Sequence, residues 1–155
     1  MRLAPPALLA LAVGGLLVAC AARKPVMTST PVEAKDLIGS EWLAEDIDNA
    51  GVLDQSHSTL RFAAADKVDG DTGCNRFTGP LAATGAAIRL GPLATTRRAC
   101  APALMHQELR YLQALTRAAS LRLDGPQLVL LDESGTPLVR YGRLEATPPP
   151  LPVRP

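Results

Sequence analysis

The sequence predicts an α+β domain: a curved antiparallel sheet or partly open barrel of seven to eight short strands with one amphipathic helix. Three observations lead there. Short apolar runs with a two-residue period recur through residues 36–145, separated by Gly, Asp and Pro. A single stretch has a helical period instead. The length between the two atypical ends suits one modest core.

Taken in order, Glu41–Ile47 carries Trp42, Leu43 and Ile47, and Thr59–Ala63 alternates Leu60 and Phe62. Within the glycine-rich stretch Gly70–Gly79, Asn75 and Arg76 fall in a glycine-flanked turn, read as a strand corner. Ala86–Leu90 puts Ile88 and Leu90 on one face. Pro102 suits the first turn of a helix. Leu104, Met105, Leu109, Leu112 and Leu115 follow at helical spacing with Tyr111 flanking, and the helix should end near Ala119. Leu121 and Leu123 then alternate around Arg122. Gln127–Leu131 is nearly all apolar and should be covered on both faces. Leu138–Leu144 supplies the last strand, with Val139, Tyr141 and Leu144. Turn signals fall between these runs at Asp69-Gly70, Thr84-Gly85, Asp124-Gly125-Pro126 and Glu133-Ser134-Gly135.

The ends differ. Arg2 precedes an apolar run from Leu3 to Val18, which matches a secretory signal over residues 1–19. Leu17-Val18-Ala19-Cys20 resembles the lipobox of bacterial lipoproteins, which implies lipidation at Cys20 and cleavage before it. An uncleaved anchor fits less well, because Pro5, Pro6, Gly14 and Gly15 interrupt the run. Ala21 after the cysteine, by resemblance to bacterial sorting rules, implies an outer-membrane lipoprotein facing the periplasm. Residues 20–35 read as a flexible tether and 146–155 as a disordered proline-rich tail, with five prolines in Thr147–Pro155.

Function classes fall away quickly. With 16 basic and 15 acidic residues and 3% aromatics, the chain has neither the basic excess nor the stacking surface of a nucleic-acid binder. No Gly-x-Ser-x-Gly, P-loop or dinucleotide motif occurs. His57 and His106 stand at no matched ligand spacing, so neither a metal nor a cofactor is expected.

Two stretches carry a resemblance. Gly73-Cys74-Asn75-Arg76-Phe77-x-Gly79 comes first, and Ala94-Thr95-Thr96-Arg97-x-Ala99-Cys100 follows, directly before the helix with Met105 and Glu108. With Trp42 near the start and the terminal hairpin, the region Leu37–Tyr141 resembles the META domain of HslJ-like proteins. Gly79-Pro80 departs from the family's Gly-Tyr and puts local strand pairing in doubt. The resemblance implies a compact α+β unit, an envelope location and a link to heat-shock stress, and it implies no enzymatic activity.

Within that frame Cys74 and Cys100 are a candidate disulfide, the alternative being two buried thiols. Asn75 and Arg76 are either a polar recognition site or parts of a strand corner. Glu108 lies on an apolar helix stripe and needs a partner there. A partly buried pair with Arg76 or Arg97 is expected, locking helix to sheet; a general acid is the alternative. The overall expectation is a non-enzymatic envelope lipoprotein, a stress-related interaction or assembly module held to the membrane by its lipid, with an envelope protein as partner. The alternative is a binder of a small hydrophobic or lipid ligand in a barrel-like domain, and a hydrolase ranks last.

Overall fold

The computed structural model describes residues 29–144. The leader, Cys20 and the proline tail lie outside them. The elements run β1 (Ser29–Pro31), β2 (Glu41–Ile47), β3 (Thr59–Ala64), β4 (Lys67–Asp71), β5 (Arg76–Thr84), β6 (Ala87–Leu90), β7 (Ala94–Thr95), α1 (Pro102–Arg117), β8 (Ser120–Asp124), β9 (Gln127–Leu131) and β10 (Pro137–Leu144). Neighbours pair antiparallel in the order β8-β6-β5-β4-β3-β2-β10-β9, and β9 returns to β8. The result is a closed eight-stranded barrel with β1 and β7 added, so the open alternative is resolved as closure.

One seam is thin. Between β6 and β8 the only residue pair is Ala87↔Ser120. Two flanking bonds help, Ile88 N–H to the Ala119 carbonyl and Leu121 N–H to the Ala86 carbonyl, each 2.9 Å. β1 pairs with Arg122–Asp124 of β8 and so covers a strand edge that would stand open. This corrects the tether expected over residues 20–35. Its last seven residues are part of the fold, and Val32 and Ala34 are buried in the core.

The barrel is filled. Phe77 on β5 and Tyr141 on β10 belong to opposite walls, four strands apart in the ring. Tyr111 of α1 stands between them, edge-on to both, with ring centroids 6.1 Å from Phe77 and 6.4 Å from Tyr141. Tyr111 and Tyr141 are fully buried. Their hydroxyls are satisfied in series: Tyr141 Oη donates to Tyr111 Oη at 3.0 Å, and Tyr111 Oη donates to the Thr59 carbonyl at 3.0 Å. Burial pushes both phenol groups well above their ordinary range.

The helix differs from its expected face and end. It stops at Arg117, and Gln107, Tyr111, Ala114 and Leu115 point inward. Met105 and Leu109 are 46% and 58% exposed. The stripe is rotated because Gln107 satisfies its amide inside. Its Oε1 accepts from Leu53 N–H at 2.7 Å, and its Nε2 donates to Ser56 Oγ at 2.8 Å and Ser58 Oγ at 3.2 Å. That amide pins the long connection between β2 and β3 to the helix.

The chain has only two tyrosines, and both are in this buried series. A phenol whose folded pKa is raised holds its proton while the unfolded chain releases it. Stability is therefore full below about pH 10 and declines as pH rises above it, by about 1.4 kcal/mol per pH unit for each tyrosine. Tyrosinate absorbance should appear only together with loss of near-ultraviolet circular dichroism. A tyrosinate signal in the folded protein near pH 10 would contradict the buried series. Tyr111→Phe should cost about 1–3 kcal/mol in denaturant unfolding, and more than Tyr141→Phe, because it strands the Thr59 carbonyl.

Candidate functional site

The two motif stretches meet at one end of the barrel. A tight turn, Thr72–Asn75, joins β4 to β5, and Gly73 in it has φ 91°, a conformation that disfavours a side chain. A disulfide joins Cys74 in this turn to Cys100, with Cα atoms 6.0 Å apart, and ties the turn to the segment entering α1. The loop closed by this bond corresponds to about 3.5 kcal/mol of chain entropy removed from the unfolded state.

Asn75 is the hub. Its side chain is 5% exposed and every polar atom is used. Oδ1 accepts from Arg98 N–H at 2.7 Å and from Thr96 Oγ1 at 2.8 Å. Nδ2 donates to the Glu108 carboxylate at 3.0 and 3.1 Å and to the Arg98 carbonyl at 3.4 Å. The turn, the incoming loop and the helix thus share one carboxamide. Glu108 accordingly has its partner, but not the expected arginine. No ion pair forms with Arg76 or Arg97; both side chains are exposed, and the neutral amide reaches the half-buried carboxylate instead.

Of the two residues expected in the glycine-flanked turn, Asn75 lies in it and Arg76 is already strand. Phe77 faces the core from β5, and Arg76 opens that strand. At Gly79 an added Cβ would come within 2.7 Å of Leu93 Cδ2, so glycine lets the segment before β7 cross β5 closely. Thr95 pairs with Phe77 in the two-residue ladder that follows. Pro80 does not break the pairing expected to suffer there: it stands opposite Lys67 on β4 and its carbonyl accepts from Gly91 N–H at 2.9 Å.

Beside this scaffold runs a solvent-open groove of about 800 Å³ on the outside of β2–β5 and β7. Arg61 and Asp69 pair across β3 and β4 with two bonds of 2.7 Å, Nε to Oδ1 and Nη2 to Oδ2. The Asp69 carboxylate, more than Glu41 nearby, holds the exposed Arg61 guanidinium above its ordinary pKa. Glu41, His57, Asp71, Arg76 and Thr78 line the rest. The groove has a structural origin. The β3–β4 ladder stops at Arg61↔Asp69 and resumes only at an isolated Ser58↔Thr72 bridge. Between them the Thr59 carbonyl turns inward to Tyr111, and Asp71 N–H takes Thr59 Oγ1 at 3.2 Å. Gly70 sits in the gap, where a Cβ would lie 2.1 Å from the Thr59 carbonyl oxygen. Sequence reasoning missed this groove and Gln107. The charged alternation of Arg61, Asp69 and Asp71 was the signal for the groove.

Among the described residues no cluster of three His, Cys, Asp or Glu side chains is placed to hold a metal ion. Among them no helix is long and apolar enough to cross a membrane.

Comparison with known proteins adds a family and a fold. The family model for the META domain matches residues 35–144. A search of curated proteins returned no match. Two solved structures share the fold. An NMR structure of a protein from Burkholderia xenovorans is 21% identical with a TM-score of 0.58, and the match covers 92% of this chain and 100% of that one. A second NMR structure is 24% identical with a TM-score of 0.57, covering 71% of this chain and 94% of that one.

Asn75→Ala should cost at least about 2 kcal/mol, since it strands Arg98 N–H and the half-buried Glu108. Glu108→Gln keeps an acceptor for Asn75 and breaks no ion pair, so it should cost less than about 1 kcal/mol. Equal losses for the two variants in denaturant unfolding would show that the carboxylate charge, not the carboxamide, holds the junction.

Proposed function

The chain belongs to the META domain family, and on that footing we propose that it is a non-enzymatic lipoprotein of the bacterial envelope whose barrel is an interaction or assembly module, with a stress-related role. One observation carries the reading. The barrel axis is occupied by Phe77, Tyr111 and Tyr141 in contact from wall to wall, which leaves the outer surface as the working one. A hydrophobic ligand in the barrel gains no support from an interior filled in this way.

The leader and Cys20 support the envelope location. Acyl chains on that cysteine, at about 0.8 kcal/mol per buried methylene, would hold the protein firmly to a bilayer. Nine residue steps separate Cys20 from Ser29, the first described residue. Fully extended they reach about 30 Å. A partner or ligand would therefore be met close to the membrane surface, within roughly one small-domain diameter.

In cells, the wild-type chain should incorporate labelled palmitate and sediment with membranes. Cys20→Ser should do neither, while the domain keeps its fold. Palmitate incorporation by the Cys20→Ser chain would remove the lipoprotein reading. Crosslinking from Thr78 in the groove should trap a discrete protein or peptide adduct, and adducts to lipid alone would remove the module reading.

A further inference from the structure

Most of the motif side chains have structural partners, and Arg76 does not. Its backbone is fixed on both sides: N–H donates to Thr96 Oγ1 at 3.1 Å, and its carbonyl accepts from Thr96 N–H at 3.0 Å. Thr96 is in turn held by Asn75, and the disulfide closes the same loop. Yet the exposed Arg76 guanidinium forms no ion pair among the described residues. Arg61, Arg117 and Arg122 each hold a carboxylate at 2.6–2.8 Å. A rigid scaffold thus presents one unspent cation along the wall of an open groove.

The other charges in the groove define what could meet it. Arg61 is already bound twice by Asp69. Among the described residues Glu41 forms no ion pair, and Asp71 gives only its Oδ1, to Gly73 N–H at 2.7 Å. Besides the exposed His57 imidazole, the groove groups without an ion pair among the described residues are one guanidinium and two carboxylates. A polyanion would press phosphates onto these carboxylates, and like charges brought together are costly. A ligand with a single anionic group would leave the carboxylates without partners. A ligand carrying one carboxylate and one or two ammonium groups answers all three. Where the ladder opens, Thr59, Gly70 and Phe77 line the groove. The volume of about 800 Å³ suits a few residues of extended chain.

We propose that this groove binds a short zwitterionic peptide, its carboxylate paired with Arg76 and its ammonium groups with Asp71 and Glu41. The proposal rests on the reading of the domain as an interaction module and names the chemistry of what it takes.

The test is amide chemical-shift titration of the full chain in detergent micelles with the tripeptide Lys-Ala-Ala. Its C-terminal amide, its doubly N-acetylated form, maltotriose and inorganic phosphate serve as comparators. Saturable shifts are expected at Gly70, Arg76, Thr78 and Thr95. Arg76→Gln should weaken binding of the free-carboxylate peptide at least about tenfold. It should leave the already weak C-amide unchanged. Glu41→Gln should weaken the diamino peptide and leave the N-acetylated one unchanged, a second arm that does not depend on Arg76. The proposal is overturned by absence of saturation up to about 10 mM, by equal binding of the C-amide, or by maltotriose or phosphate shifting the same amides as strongly. A protein crosslinked at Thr78 without any peptide titration would leave the module reading standing and remove this one.

Discussion

The hydroxyl of Tyr111 is the point on which the barrel turns. It accepts from Tyr141 on one wall and donates to the Thr59 carbonyl on another, while its ring lies against Phe77 on a third. In a fully buried place each of those polar atoms would cost about 1–3 kcal/mol unpaired. The series therefore specifies an arrangement as well as stabilising it: the helix must enter at one depth and one rotation for both bonds to form. A leucine at this position could fill space, but it could not fix the register of the helix against three separate strands.

A second layer fixes the end of the barrel where the chain is least regular. The segment from Gly91 to Ala101 has only two strand residues of its own. Such a stretch pays its ordering entropy with little ladder in return. The Asn75 carboxamide, the Cys74–Cys100 bond and the Thr96 bonds to Arg76 supply the missing constraints. All of these sit within or beside the two motif stretches. The motif is thus mainly a fastening, and its exposed arginines Arg76 and Arg97 are left over from that role, Arg76 alone of the two lining the groove.

Much of this was legible in the sequence. Two-residue alternation marked β2, β3, β8 and β10, because each buries one face. Pro102 and the leucine spacing marked the helix. The cysteines and their neighbours marked the junction through a family pattern. Three features were hidden for physical reasons. β4 reads Lys-Val-Asp-Gly-Asp, with only Val68 buried deeply, so its period was too faint to separate from a turn. Gln107 looks like a surface residue until Leu53, Ser56 and Ser58 are brought to it by the fold. Glu108 was assigned the strongest partner by charge, whereas the short reach of Asn75 from a turn directly beneath the helix decided the contact. Long-range polar pairing is set by topology, and composition holds no record of it.

The closed interior and the open groove have one cause. In an unbroken ladder the Thr59 carbonyl would stay within the β3–β4 wall near Asp71. Tyr111 draws it inward instead, and the threonine hydroxyl takes over the Asp71 N–H that the carbonyl no longer faces. The strands part there, and only glycine fits at position 70, because a Cβ would meet that inward-turned carbonyl. Filling the axis of the barrel with a hydrogen-bonding ring therefore opens its outer wall at the same level. The polar choice at Tyr111 thus links the packing of the core to the surface on which this domain presents its unpaired charges.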